Sequence, residues 1–235
     1  MERSRKFSLI PTLIGVLVLL FSFHGMARAG MDTACHPALD PDKVQYVLGY
    51  GSLMETASRL RAWPHANTSL PVRVNGYAHG WNARGLDIGF SATFLGVTPS
   101  AGAEMMAALF RVDDLDDFKT GDARESIYCR VPVPSERIHP LDNSAVPKDG
   151  IIWIYVLEAE HMRPPDEKFP IIQSYVDIFL SGCIELSYQA AAEDDDFLTQ
   201  CIDMTSGWSG YWVNDRIYRR RPFHHLYAGR IDRFL

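Results

Sequence analysis

The chain has 235 residues, 47% of them hydrophobic and 22% charged, with a formal net charge of −6. That composition suits a packed globular domain and argues against a nucleic-acid partner, which would call for a cationic surplus. The one basic run, Arg216 to Arg221, reads as a solvated face or a strand edge.

The first segment stands apart from the fold. Met1-Glu2-Arg3-Ser4-Arg5-Lys6 is basic, an apolar run extends from Phe7 to Phe23, and Ala27-Arg28-Ala29 supplies a small-x-small site. These are the three parts of a secretory signal peptide. Cleavage is expected after Ala29, so residues 1–29 are set aside and residues 30–235 are read as one domain. The alternative is an uncleaved membrane anchor, for which the run is short and interrupted by Pro11. No later segment is apolar enough to span a bilayer, so the mature protein is expected in the periplasm or outside the cell, free of the membrane. About 200 residues then remain, enough for one sizeable core.

Cys35, Cys129, Cys183 and Cys201 all follow the leader. An oxidising compartment permits two disulfides among them, in any of three pairings. Cys183 and Cys201 flank successive helical segments and are one candidate bridge. None of the four shows metal-ligand spacing, and His224-His225 is not tied to a cysteine it could activate.

In chain order, Val44 to Leu48 reads as a strand by its β-branched content, and Val72 to Tyr77 alternates as a second. Gly89 to Val97 is a third strand with a glycine-marked bend. Glu104 to Val112 is a fourth, although Met105 to Leu109 could equally begin a helix. Asp113 to Arg124 is a short polar helix with Leu115 and Phe118 as its apolar stripe. Ile127 to Val133 and Gly150 to Leu157 are strands. Beyond the Arg163-Pro164-Pro165-Asp166 turn, helical periodicity takes over. Ile171, Ile172, Tyr175, Val176, Ile178, Phe179 and Ile184 mark an amphipathic helix over 170–188. A second helix is expected over 190–202, with Asp194-Asp195-Asp196 as its solvated face. Strands crowd the first part and helices the second, which predicts a mixed α+β domain.

Two stretches carry chemistry. In the first, the apolar strand ends in Leu48-Gly49-Tyr50-Gly51-Ser52-Leu53, where glycines bring bare backbone close to whatever lies above the strand end. Backbone N–H groups shown in such a turn can hold a carboxylate or carbonyl oxygen. Ser52 lacks a Gly-x-Ser-x-Gly setting, and no histidine is placed by sequence to activate it. In the second, Asp122-x-Arg124-Glu125-x-x-Tyr128-x-Arg130, Glu125 falls at a helix-to-strand junction, from which a side chain can be aimed into a cleft. It could equally form a helix-end ion pair with Arg124 or Arg130 on the surface.

Together these two stretches resemble the gamma-glutamylcyclotransferase superfamily, including its glutathione-degrading ChaC branch. Supporting likenesses are Gly80-Trp81-Asn82, Ala92-Thr93-Phe94-Leu95-Gly96, and Ile154-Tyr155-Val156-Leu157 followed by Pro164-Pro165. The resemblance covers residues 44 to about 187 and leaves 188–235 as an extension without counterpart. It implies a mixed β-barrel or sheet with flanking helices. It also implies cleavage of a small γ-glutamyl amide by the substrate's own α-amino group, releasing 5-oxoproline without cofactor or metal.

In that reading Glu125 is the acid/base, and Leu48, Gly49, Tyr50, Gly51, Ser52 and Leu53 form the γ-glutamyl-binding loop. Tyr128 and Tyr155 line the cleft, with core packing the alternative role for both. Arg124, directly before Glu125, departs from the family pattern, and its charge would favour the ionised carboxylate if the side chains meet. The rival expectation is a non-catalytic exported module that captures a γ-glutamyl or carboxylate ligand in the same cleft.

Overall fold

The computed structural model describes residues 35–66, 68–85, 92–190, 196–217 and 227–235. All of them belong to the unit Met31–Leu235. The expected signal peptide, Asp194-Asp195 and His224-His225 lie outside the described residues.

A mixed sheet organises the molecule. Strand β1 (Val44–Gly49) runs antiparallel to β3 (Thr93–Val112) and parallel to β6 (Gly150–Leu157). Strand β2 (Leu70–Arg84) pairs with β3 and with the short β5 (Ile138–Pro140), and β4 (Tyr128–Pro132) flanks β6. The order is β4-β6-β1-β3-β2-β5. Of the barrel or sheet expected, the described residues form an open sheet with β4 and β5 at its ends.

Side-chain alternation buries both faces. Leu48, Leu109, Ile152 and Ile154 point into one apolar layer, while Val47, Phe110, Trp153 and Tyr155 point into another. A strand covered on both sides needs no polar alternation, which is why Gly150 to Leu157 is continuously apolar. Over the first layer lie helix α3 (Gln173–Ser187) and helix α4 (Phe197–Asp203). The second layer holds Trp63, from the segment after helix α1 (Thr56–Arg59), and Phe118 of helix α2 (Asp117–Arg124).

Three expectations are revised. The strands read at 72–77 and 104–112, and the described part of the one read at 89–97, belong to two long partners, β2 and β3; residues 89–91 lie outside the described residues. Apolar patterning lapses around Pro99 to Glu104 because β3 bulges there: Asn75 pairs with Glu104, but Tyr77 pairs with Pro99. Ser100 to Ala103 have no partner on β2, and the ladder resumes on either side of them.

The helix expected over 190–202 is Phe197–Asp203. Asp196 is its cap, its carboxylate accepting the Thr199 N–H at 3.2 Å. Cys183 and Cys201 are buried free thiols. The disulfide joins Cys35 to Cys129 instead and pins the segment before β1 onto β4.

The irregular tail forms strand β8 (Thr205–Ser206) against β2, strand β9 (Trp212–Val213) parallel to β7 (Ile171–Ile172), and helix α5 (Ala228–Ile231). No described helix is long and apolar enough to cross a membrane.

Candidate functional site

Topology brings the two chemical stretches together. β1 and β6 are parallel, so their carboxyl ends share one edge of the sheet. β4 runs antiparallel to β6, with Tyr128 opposite Leu157, so the start of β4 meets that edge too. The Tyr50–Leu53 turn leaves β1 there, and Glu125 arrives there at the junction between α2 and β4. The carboxyl edge of parallel strands is where α/β sheets commonly open a ligand crevice.

The turn itself is tight. Gly51 to Leu53 form one 3-10 turn, closed by Leu53 N–H donating to Tyr50 O at 3.0 Å. Gly51 has φ of +55°, and a Cβ placed on it would stand 2.8 Å from the Tyr175 hydroxyl of α3. Both facts call for glycine. Gly182, two turns further along α3, lets that helix lie on the backbone of Met54 and Glu55 just past the turn. The side chains of Leu48 and Leu53 are buried in the two core layers, so what these residues can offer a ligand is backbone.

Glu125 caps α2 at its C-terminal end, its N–H donating to Gly121 O at 3.0 Å. Its side chain is 15% exposed and meets Arg124, with Nε 3.3 Å from Oε1. The same Arg124 donates to Ser52 Oγ at 2.9 Å, Ser58 O at 2.7 Å and Ser58 Oγ at 3.0 Å. One guanidinium thus ties the glycine turn, α1 and Glu125 into a single unit. Ser52 serves here as a hydrogen-bond acceptor.

The Glu125 carboxylate also lies close enough to Tyr50 to be felt. Burial, then the charge of Glu125, push the Tyr50 phenol well above its ordinary pKa. Burial and the charge of Asp122 do the same to Tyr155, with a smaller contribution from Glu125.

The phenols interlock. Tyr50 donates to Tyr155 O at 2.7 Å, Tyr155 donates to Asp122 Oδ1 at 2.6 Å, and Tyr128 donates to Leu95 O at 2.9 Å. Beneath them Arg130 Nε sits 3.2 Å from Asp122, and Arg130 stacks over Phe118 and Trp153. Asp122 lies one helical turn before Glu125, so this buried pair fixes the end of the helix that presents the carboxylate.

The structure therefore gathers Tyr50, Gly51, Ser52, Glu125, Tyr128 and Tyr155 at one sheet edge. It adds Tyr175, which sequence periodicity assigns to an apolar helix stripe and so hides. Among the described residues, one grouping has metal-ligand chemistry, Cys35, Cys129 and Glu158, and its two sulfurs are joined as a disulfide.

The architecture is the gamma-glutamylcyclotransferase-like fold. A solved "Gamma-glutamyl cyclotransferase" matches with a TM-score of 0.50 and 13% identity over 73% of this chain and 94% of its own. An uncharacterized protein from Homo sapiens matches with the same TM-score, identity and coverage. A gamma-glutamyl cyclotransferase from yeast, specific to glutathione, matches with a TM-score of 0.46 and 12% identity over 69% of this chain and 95% of its own. No protein-family model and no curated protein matches the sequence.

Proposed function

We propose that the protein is a gamma-glutamylcyclotransferase: it releases 5-oxoproline from a small γ-glutamyl amide, such as a γ-glutamyl amino acid, a γ-glutamyl peptide or glutathione. The observation that carries this reading is the Glu125 carboxylate. It is largely buried, is linked through Arg124 to Ser52, and acts electrostatically on Tyr50 across the glycine turn.

The α-amino nitrogen of the substrate attacks its own γ-carbonyl carbon. A C–N bond forms to close the five-membered lactam, and the γ-amide C–N bond breaks. Glu125 takes one proton from the ammonium to free its lone pair and a second from the same nitrogen as the lactam forms. It hands each on to the leaving nitrogen, which departs as an ammonium, so the carboxylate is regenerated. The Tyr50–Leu53 turn holds the folded γ-glutamyl group, and this tethering removes the entropic part of the barrier. N–H groups of the same turn support the oxyanion as it develops. Tyr128 and Tyr155 are buried, with their hydroxyls held by Leu95 O and Asp122, so they support the site from the core, the alternative role the sequence left to them. The proposed reaction calls on no cofactor.

The reaction is assigned outside the cytoplasm. The leader-like N-terminus supports this, and so does the Cys35–Cys129 disulfide, a bond of oxidising compartments. The test is a panel of γ-glutamyl amino acids, peptides and amines incubated with the protein. Equal amounts of 5-oxoproline and free amine are expected. Release of glutamate would mean hydrolysis instead. No product from any member would favour the second reading, a binding module using the same cleft, for which the ion pair holding Glu125 to Arg124 speaks.

A further inference from the structure

The C-terminal extension converges on the first turn of α3. That turn begins without a cap of its own, because Ile172 offers no side-chain acceptor. Free N–H groups at a helix start need a partner. The partner comes from the tail: Asp215 Oδ1 accepts the Ser174 N–H at 2.7 Å, and Oδ2 accepts the Ser174 hydroxyl at 2.6 Å.

The next tail residue, Arg216, grips the buried Asp177 with two hydrogen bonds, Nε to Oδ2 at 2.8 Å and Nη2 to Oδ1 at 2.7 Å. Trp212 Nε1 donates to Gln173 at 3.0 Å, and β9 pairs with β7 immediately before the helix. These contacts take in Gln173, Ser174 and Asp177. Between them lies Tyr175, whose hydroxyl stands over Gly51. Its ring is boxed by Phe94 and Trp81, at 5.0 and 5.8 Å, and Trp208 of the tail backs Trp81 at 5.2 Å.

We propose that Asp215 and Arg216 are positioning residues for the γ-glutamyl-binding turn: the tail fixes α3 at its first turn, α3 fixes Tyr175, and Tyr175 holds the Gly51 turn in its binding conformation. This rests on the function proposed above. The extension is then part of the site, although no atom of Asp215 or Arg216 need touch the substrate.

The experiment compares the full chain with Asp215→Ala and Arg216→Gln in two ways. Hydrogen exchange reads the amides of Leu53 and Met54, which close the Gly51 turn. Steady-state kinetics follow 5-oxoproline release. Exchange at these two amides is expected to rise about tenfold while β1 and β6 stay protected. KM is expected to rise about tenfold with kcat within a factor of about two, the mark of weakened binding without damaged chemistry.

Unchanged exchange in the turn, or an unchanged KM, overturns the proposal, even if α3 frays or the melting temperature falls. Arg216→Gln leaves the helix cap in place and is read alone if Asp215→Ala does not fold. If the wild-type protein releases no 5-oxoproline from any substrate, the proposed function fails. The exchange measurement then decides the positioning role by itself.

Discussion

Two buried aspartate–arginine pairs in this molecule look alike and are placed differently. Asp122 and Arg130 are almost wholly enclosed, with side chains 4% and 3% exposed. Asp177 is as deeply buried, but its partner Arg216 is 19% exposed and is shared with Asp232 at the surface. The first pair lies within one stretch of sequence and underpins the helix end that bears Glu125. The second joins residues 39 apart and fastens the tail to α3. A buried ion pair gives little net stability over apolar packing, but losing one partner strands a charge. The comparison teaches that the cost of breaking such a pair depends on what the stranded charge can still reach.

Asp122→Ala should therefore be the more damaging change. It leaves Arg130 inside the core and removes the acceptor of the Tyr155 hydroxyl, so we expect a loss of about 3–5 kcal/mol in denaturant unfolding. A loss below about 1 kcal/mol would mean that Pro37 O, which already accepts from Arg130 Nη2 at 2.8 Å, suffices for the stranded charge.

A third buried titratable group, without any ion partner, calibrates the other two. His79 is enclosed, its Nε2 lies 2.6 Å from Thr205 Oγ1, and its Nδ1 has no hydrogen-bond partner. Because the Thr205 hydroxyl donates to Cys201 O, Nε2 must carry the ring proton. Burial lowers the His79 pKa from 6.5 to about 4. Above pH 6.5 the ring is neutral in both folded and unfolded chains. Below it the unfolded chain takes up a proton that the folded chain refuses. Stability should fall from about pH 6.5 to about pH 4, by about 3 kcal/mol in all, and His79→Gln should flatten that slope. A slope of the same size in the variant would assign it to other groups.

Asp177→Ala should cost about 2 kcal/mol, less than Asp122→Ala, because Arg216 keeps Asp232 and solvent. Equal losses for the two aspartates would erase the distinction. The smallest effect is expected for Ser52→Ala. It removes one acceptor from Arg124 and should lower 5-oxoproline release by less than about tenfold. A loss of several orders of magnitude would restore Ser52 as a nucleophile.

The same contrast explains what could be read in the sequence. The strand over 150–157 and the glycine turn after β1 are legible because each is a continuous local pattern. Glu125 is legible because a helix stop and a strand start fix it at a junction. The Asp122–Arg130 pair belongs to the same short stretch. The tail shows no such pattern: Asp215 caps a helix that begins 42 residues earlier, as the Ile172 and Ser174 contacts show only in three dimensions. Tyr175 carries the spacing of a core residue, and its ring is indeed packed, so only the position of its hydroxyl over Gly51 reveals a second role. Cysteine pairing is open in the sequence for a related reason. Cys183 and Cys201 are close through helix packing, whereas Cys35 and Cys129, 94 residues apart, are brought together by the segment crossing β4.

The most direct test of the account is Glu125→Gln. The change keeps the size and one hydrogen-bonding oxygen of the side chain and removes its ability to accept and return a proton. With a γ-glutamyl substrate turned over by the wild-type protein, 5-oxoproline release should fall by about two to four orders of magnitude, with the melting temperature nearly unchanged. Full activity in a folded Glu125→Gln protein would contradict the account.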